Sequence, residues 1–160
     1  MKTINLLLLI SALVFSCACG ASVSGFSGDD LRLNIGGKFY TLEMDIEDII
    51  AEFGTGFEYA EAQSCDYDGL DKTFIYDTAQ FFTYPSGEND LVSEVYSDSP
   101  DARTSRGLGV GASRDDVLAA YGSDCRDTSY QIIYTAEEGA LYFDMDGDEV
   151  AALYITSRGA

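Results

Sequence analysis

The stretch Ser113-Arg114-Asp115-Asp116-Val117-Leu118-Ala119-Ala120-Tyr121-Gly122 has an earlier counterpart in Asp45-Ile46-Glu47-Asp48-Ile49-Ile50-Ala51-Glu52-Phe53-Gly54. Each reads as a short helix. A capping residue, Asp45 or Ser113, is followed three positions later by an acid, Asp48 or Asp116, so side-chain oxygens can accept from the free N–H groups of the first turn. Gly54 and Gly122 close the two segments, where a positive φ is cheapest for glycine. In the first copy Ile46, Ile49, Ile50 and Phe53 form one apolar stripe. Val117, Leu118 and Tyr121 continue that pattern in the second, but Arg114 takes the place of Ile46 and narrows the stripe. Helices this short are marginal alone, so both must be buried against another element.

Strands supply that element. Leu31 to Ile35 alternates apolar and polar residues, and Gly36-Gly37 turns the chain into Lys38 to Leu42, a hairpin signal. After the first helix, segments 57–62, 72–77, 79–85 and 90–96 are rich in Phe, Tyr, Ile, Val and Thr and are separated by Gly, Asp, Ser and Pro. After the second, 130–135, 140–143 and 149–155 read the same way, the last two joined through Asp146-Gly147 as a two-residue turn. Residues 97–106 are polar and join the halves. Turns this short leave no room for helical crossovers, which excludes a parallel α/β sheet. The expected fold is α+β: two tandem helix-plus-antiparallel-strand repeats (30–97 and 104–157) in one domain, with the helices on one sheet face and the other face more open.

The N-terminus has a different character. Met1-Lys2 and the apolar run from Ile4 to Phe15 have the form of an export signal over residues 1–16, too short for a comfortable membrane span. Leu13-Val14-Phe15-Ser16-Cys17 resembles a bacterial lipobox, with Phe15 larger than usual at its position. That resemblance implies lipidation at Cys17 and an exported, membrane-anchored protein facing outside the cytoplasm. Residues 17–29 are small and polar and read as a flexible tether.

Charge and cysteine usage narrow the classes further. Nine Lys and Arg against 28 Asp and Glu give a formal net charge of −19. Such a surface repels nucleic acid and anionic headgroups, so membrane attachment is expected through the lipid anchor only. Acidity suits either a basic partner or simple long-range repulsion. With no histidine and no CxxC pair, neither imidazole catalysis nor a structural zinc site is expected, and no cofactor is implied. Cys65 and Cys125 are candidates for a disulfide, which export would permit; sequence alone leaves their separation open.

A helix capped in this way, introduced by Gly109-Val110-Gly111 and followed by antiparallel strands, resembles the unit of the β-lactamase-inhibitor-protein-like fold. A half-length form of it occurs in small envelope lipoproteins of the SmpA/OmlA type. Two such units behind a lipobox look most like lipoproteins of gut Firmicutes, which have a segment resembling 64–76 between the first helix and its sheet. The resemblance implies a non-catalytic scaffold that binds a protein partner. It equally suits an envelope structural or assembly lipoprotein. Inhibition of a β-lactamase does not carry over, because the chain has no tryptophan and no inhibitory loop residue can be aligned.

Three groups of residues compete for a site. Asp144-Met145-Asp146-Gly147-Asp148-Glu149 gathers carboxylates, but the spacing is not that of a calcium loop and a hairpin turn accounts for it, so no metal site is expected. Asp66, Asp68 and Asp71, with Tyr67, could act as paired acids in glycoside cleavage, or could be a solvated loop turning through Gly69. The aromatic alternation in the strands is more informative, because tyrosine can offer contact area while its tip stays wet. The expected binding surface is the sheet face carrying Tyr76, Tyr84, Tyr130 and Tyr134, rimmed by the Asp66 to Asp71 loop, and no catalytic residue is assigned.

Overall fold

The computed structural model describes residues 25–157 of the chain. Gly36 and Gly37, both at positive φ (63° and 90°), turn β1 (Arg32–Ile35) back into β2 (Lys38–Thr41), a geometry that glycine adopts without strain. The first helix, α1 (Ile46–Phe53), begins at Asp45, whose carboxylate accepts from the Glu47 amide at 3.0 Å, and ends at Gly54 with φ 83°. Four strands follow: β3 (Glu58–Gln63), β4 (Leu70–Ile75), β5 (Gln80–Ser86) and β6 (Asn89–Ser97). The short β7 (Arg103–Thr104) leads to α2 (Arg114–Tyr121). Ser113 and Asp116 form the expected capping box there, and Gly122 closes the helix with φ 86°. In α1 only the Asp45 half of that arrangement forms. The chain finishes with β8 (Arg126–Asp127), β9 (Gln131–Ala136), β10 (Gly139–Asp146) and β11 (Glu149–Thr156).

The strands make an eight-stranded antiparallel sheet in the order β3-β4-β5-β6-β11-β10-β9-β8 and a separate three-stranded sheet, β2-β1-β7. The fold is therefore α+β. Helix, meander and hairpin recur in the same order on either side of the β6–β11 junction. Matching contacts recur with them. The cap residue of each helix bridges the return strand of its hairpin, Asp45 to Leu91 and Ser113 to Glu149. Both hairpins carry a register shift, between Phe82 and Thr83 and between Asp144 and Met145.

One face of the large sheet carries the core. Phe74, Phe81, Val92, Val95, Ile132, Leu141, Phe143, Leu153 and Ile155 are buried there together with Ile46, Ile49, Val117 and Tyr121 from the helices and Leu33, Ile35 and Tyr40 from the small sheet. The helices and the small sheet thus share the work of covering that face. Arg114, at the position of Ile46, does not enter the core. Its guanidinium pairs with Asp127 and donates to the Thr128 carbonyl at 3.1 Å, tying the start of α2 to the turn before β9.

The same tyrosine contact closes both helices. Tyr76 donates its hydroxyl to the Gly54 carbonyl (2.9 Å), and Tyr134 donates to the Gly122 carbonyl (2.6 Å). Each phenol thereby satisfies an orphan carbonyl at a helix end. The rings pack against the last aromatic residue of the helix, Phe53 at 4.8 Å and Tyr121 at 5.2 Å.

The segment expected as tether is partly folded. Phe26 packs on Tyr121 and Tyr134, and Ser27 caps a 3-10 turn, Gly28–Asp30. Asp30 is buried, and Arg106 grips it through Nε (3.0 Å) and Nη2 (2.7 Å) while also donating to the Ala120 and Gly25 carbonyls. The Arg106 guanidinium lies 4.4 Å over the Tyr121 ring. The polar joint is therefore anchored at Arg106, which holds the N-terminal segment and α2 together. Burial alone would raise the Asp30 carboxyl, but the hydrogen bonds from Arg106 and Ser105 outweigh it and hold the group below its ordinary value. Its contribution to stability is then present above pH ~4 and lost as pH falls through the lowered value.

Arg106→Ala leaves a buried carboxylate without its cation and is expected to cost about 3 kcal/mol in urea denaturation, with Asp30→Asn in the same background recovering part of the loss. Full stability of Arg106→Ala would refute the clamp. Tyr76→Phe and Tyr134→Phe should each cost about 1 kcal/mol, and nearly additively, because each removes one hydroxyl at a separate helix end; the check is chemical denaturation of both single variants and the double variant.

Candidate functional site

Alternation along each strand decides which side chains leave the core. Tyr134 is fully buried beneath α2, and Tyr76 is half-buried against α1, so neither belongs to an open surface. Tyr130 is 65% exposed and precedes β9, apart from the other three. The expected four-tyrosine surface is therefore corrected. In β9 the adjacent Ile132 and Ile133 are both buried, one on each face, so hydrophobicity there gives no sign of which face meets the helices. The helix ends required a ring with a donor, and Tyr76 and Tyr134 fill that need.

Part of the expected rim is assembled. Tyr84, on the side of β5 opposite Phe81 and Thr83, stacks on Tyr67 at 4.6 Å and donates to Glu43 at 2.5 Å. Ser64 accepts from the Asp66 and Tyr67 amides at 3.4 and 3.2 Å and shapes the loop that carries Tyr67. Asp66 and Asp68 are exposed in that loop, while Asp71 lies on β4 opposite Ala62. Asp68 and Asp90 line a shallow depression open to solvent, in which Lys72 bridges to Asp90 at 2.6 Å.

The two cysteines do not pair. Cys65 is free and exposed in the β3–β4 loop, and Cys125 is free just before β8. β3 and β8 are the opposite edges of the eight-stranded sheet, on the order of 30 Å apart at ordinary strand spacing, far beyond disulfide reach. Between Asp144 and Glu149 the chain makes a hairpin whose turn residues are Gly147 and Asp148, one place later than expected; only Gly147 has a positive φ. Among the described residues no group of three or more Cys, Asp or Glu converges as a metal site. Cys17 and the export signal lie outside the described residues.

The sheet face away from the helices has a centre that sequence reasoning missed. Following the pairing from edge to edge, Glu58, Ile75, Gln80, Tyr96, Tyr154, Tyr142, Ile133 and Arg126 stand opposite one another in a single row across all eight strands. Tyr142 and Tyr154 are stacked, with centroids 4.4 Å apart and planes 9° apart, whereas Tyr96 and Tyr154 diverge at 6.3 Å and 36°. Ile133, Ala140 and Tyr142 form an apolar cluster with Tyr154, separate from the helix-side core. Glu94, opposite Phe82 and Thr156, borders the row on one side, and Asp144, opposite Gln131 and Ala152, borders it on the other. Gln131 donates to Asp144 at 2.8 Å and to the Tyr154 hydroxyl at 3.4 Å.

A signal for this row was present. In β10, Leu141, Phe143 and Met145 alternate with Tyr142 and Asp144; in β11, Leu153 and Ile155 flank Tyr154. The wholly apolar set had to face the helices, which left the polar-tipped set outside.

The field around the row is negative. Burial raises the Tyr154 phenol, and Asp144 and Glu94 add to it, so that it is pushed up to about 12. Burial also raises Tyr96, reinforced by Asp98 and Asp144. A phenolate is unwelcome here because it would sit among carboxylates.

No protein-family model, no curated protein and no solved structure matches this chain.

Because the Tyr154 value is raised above the ordinary 10, its stabilising contribution is complete below pH ~10 and lost as pH rises through about 12. Ultraviolet titration of phenolate absorbance should show Tyr154→Phe losing one tyrosine from the late, high-pH phase. Loss from the early phase would contradict the assigned environment.

Proposed function

We propose that this chain is an exported, membrane-anchored lipoprotein whose domain is two tandem inhibitor-protein-like repeats, and that it acts as a non-catalytic binding module for a protein partner. The face of the large sheet away from the helices is the contact surface. The observation that carries this reading is the row Tyr96, Tyr154 and Tyr142 at the middle of that face, the first two half-buried and Tyr142 buried against Tyr154. Large rings with few rotatable bonds supply contact area at low entropic cost, and their hydroxyls keep the unbound surface wettable.

The repeat reading is supported by the matched cap bridges, hairpin register shifts and tyrosine-to-glycine contacts of the two halves. The Asp66 to Asp71 loop, with Tyr67 on Tyr84, forms one flank of the proposed surface. Attachment at Cys17 would hold this surface outside the cytoplasm on the short segment before Phe26.

A photo-crosslinking residue placed at Tyr96 on the native cell surface is expected to capture a discrete protein partner, while the same residue at Asp115 on α2 captures none. Capture from Asp115 alone would overturn the assignment of the face. In the same cells Cys17→Ala should move the protein from the membrane fraction to the soluble fraction; continued retention would count against the anchor.

A further inference from the structure

We infer that the bare edge of the large sheet is a self-association site: β3 pairs antiparallel with β3 of a second copy of this chain, in a register centred on Ala60. This goes beyond the contact surface proposed above and does not depend on it.

Hydrogen bonding fixes which side of β3 is open. The Ser64 N–H donates to the Gly69 carbonyl at 3.0 Å, continuing the register in which Gln63 faces Leu70. In an antiparallel ladder the backbone groups of alternate residues point the same way, so Ala62, Ala60 and Glu58 also aim theirs at β4. Tyr59, Glu61 and Gln63 aim theirs outward, and among the described residues no backbone group pairs with them. All six residues of β3 are exposed, whereas β8, the opposite edge, has only two residues and offers no comparable ladder. A bare edge of this length is a template for another strand.

The sequence of β3 selects the occupant and its register. Two copies of one strand pair antiparallel about a two-fold axis perpendicular to the sheet, and residues that meet must come from the same face. One residue must then face its own copy, and the two longest overlaps centre on Ala60 and on Glu61. Centring on Glu61 sets two carboxylates directly opposite, which is unfavourable. Centring on Ala60 sets Glu58 against Ala62 and Tyr59 against Glu61, with two small residues on the axis and no carboxylate directly facing another. Tyr59 and Glu61 are already a matched pair, because within one strand the Tyr59 hydroxyl donates to Glu61 at 2.5 Å. In the same register the outward N–H and C=O groups of Tyr59 meet those of Glu61 of the second copy, and the reverse.

The position of the N-terminal end agrees with this axis. The described chain begins at Gly25, whose carbonyl accepts from Arg106, and Phe26 packs on Tyr121 and Tyr134 on the helix side of the sheet. An axis perpendicular to the sheet keeps the helices and the N-terminal ends of both copies on one side, as attachment of both to one membrane through Cys17 would require. The faces away from the helices then join into one surface directed the other way.

The test is disulfide trapping in cells producing the full chain with Cys65→Ser, which removes the neighbouring thiol. Ala60→Cys places two thiols on the axis at a non-hydrogen-bonded pair, with Cα atoms about 4.5 Å apart, within disulfide reach. Mild oxidation is expected to give a reductant-sensitive dimer on gels, with the 60–60 link found by mass spectrometry. Ala62→Cys, on the same strand and face, stands on the order of 14 Å from its own copy in this register and is expected to give little dimer above the Cys65→Ser parent. Glu61→Pro added to Ala60→Cys removes an outward N–H and no bond to β4, so circular dichroism should show the fold retained while trapping falls about tenfold. Because both copies are acidic, association of the purified chain in sedimentation velocity should tighten as salt is raised.

Absence of the 60–60 link overturns the inference. Equal trapping at 60 and 62 also overturns it, since that reports collision rather than register, as does trapping that survives Glu61→Pro in a folded chain. Should Glu61→Pro fail to fold, the contrast between Ala60→Cys and Ala62→Cys still decides. Association that weakens with salt would mean ionic attraction in place of strand pairing.

Discussion

The pairing of β6 with β11 is the constraint on which the rest of the molecule depends. It joins strands distant in sequence, with Tyr96 opposite Tyr154 and Val95 opposite Ile155, and so fuses two four-stranded halves into one sheet. Each half alone would end in a long bare edge, and pairing the two long inner strands removes both edges at once. The outer edges are unequal: β8 has two residues, while β3 has six, all exposed and interrupted by Glu58 and Glu61. Register at the junction also decides which side chains reach the face away from the helices. A slip of one residue would send Tyr96 and Tyr154 into the core and bring Val95 and Ile155 to the surface.

Once the sheet is continuous, its apolar face needs a continuous cover. Two helices of eight residues cannot supply it, and the β1–β2 hairpin with β7 fills the remainder. This explains why the joint between halves is polar in sequence yet ordered in space. Thr104 is buried in β7, and Arg106 reaches both Asp30 and the end of α2. Charged groups buried at such a joint must be paired, and Arg106 with Asp30 is the pair. Arg114 makes the same point at the other end of α2, because a hydrophobic residue at that position would face Asp127 and Asp148 rather than core.

Much of the secondary structure was legible. The helix caps, the Gly36-Gly37 turn and every long strand lie within a few residues of expectation, because each is dictated by neighbours along the chain. The two short strands β7 and β8 were not, since two residues have no periodicity and pair only because a longer strand passes by. The placement of the expected surface residues was half legible. Tyr67 of the expected rim stacks on Tyr84 of the expected face, but Tyr76 and Tyr134 were assigned to the wrong face: a tyrosine is amphipathic, and its sequence does not say whether its hydroxyl seeks water or a helix-end carbonyl.

What the sequence determined by itself is the local grammar: where helices begin and end, where the chain reverses, that strands are antiparallel, and that the surface is strongly acidic. These depend on residues within a few positions of one another. Only the tertiary structure decided which strands of the two halves meet, that Cys65 and Cys125 lie on opposite edges, and that Tyr96, Tyr154 and Tyr142 stand together between Glu94 and Asp144. Those facts are set by β-sheet register between distant segments, where the choice rests on the packing of whole faces rather than on any one residue.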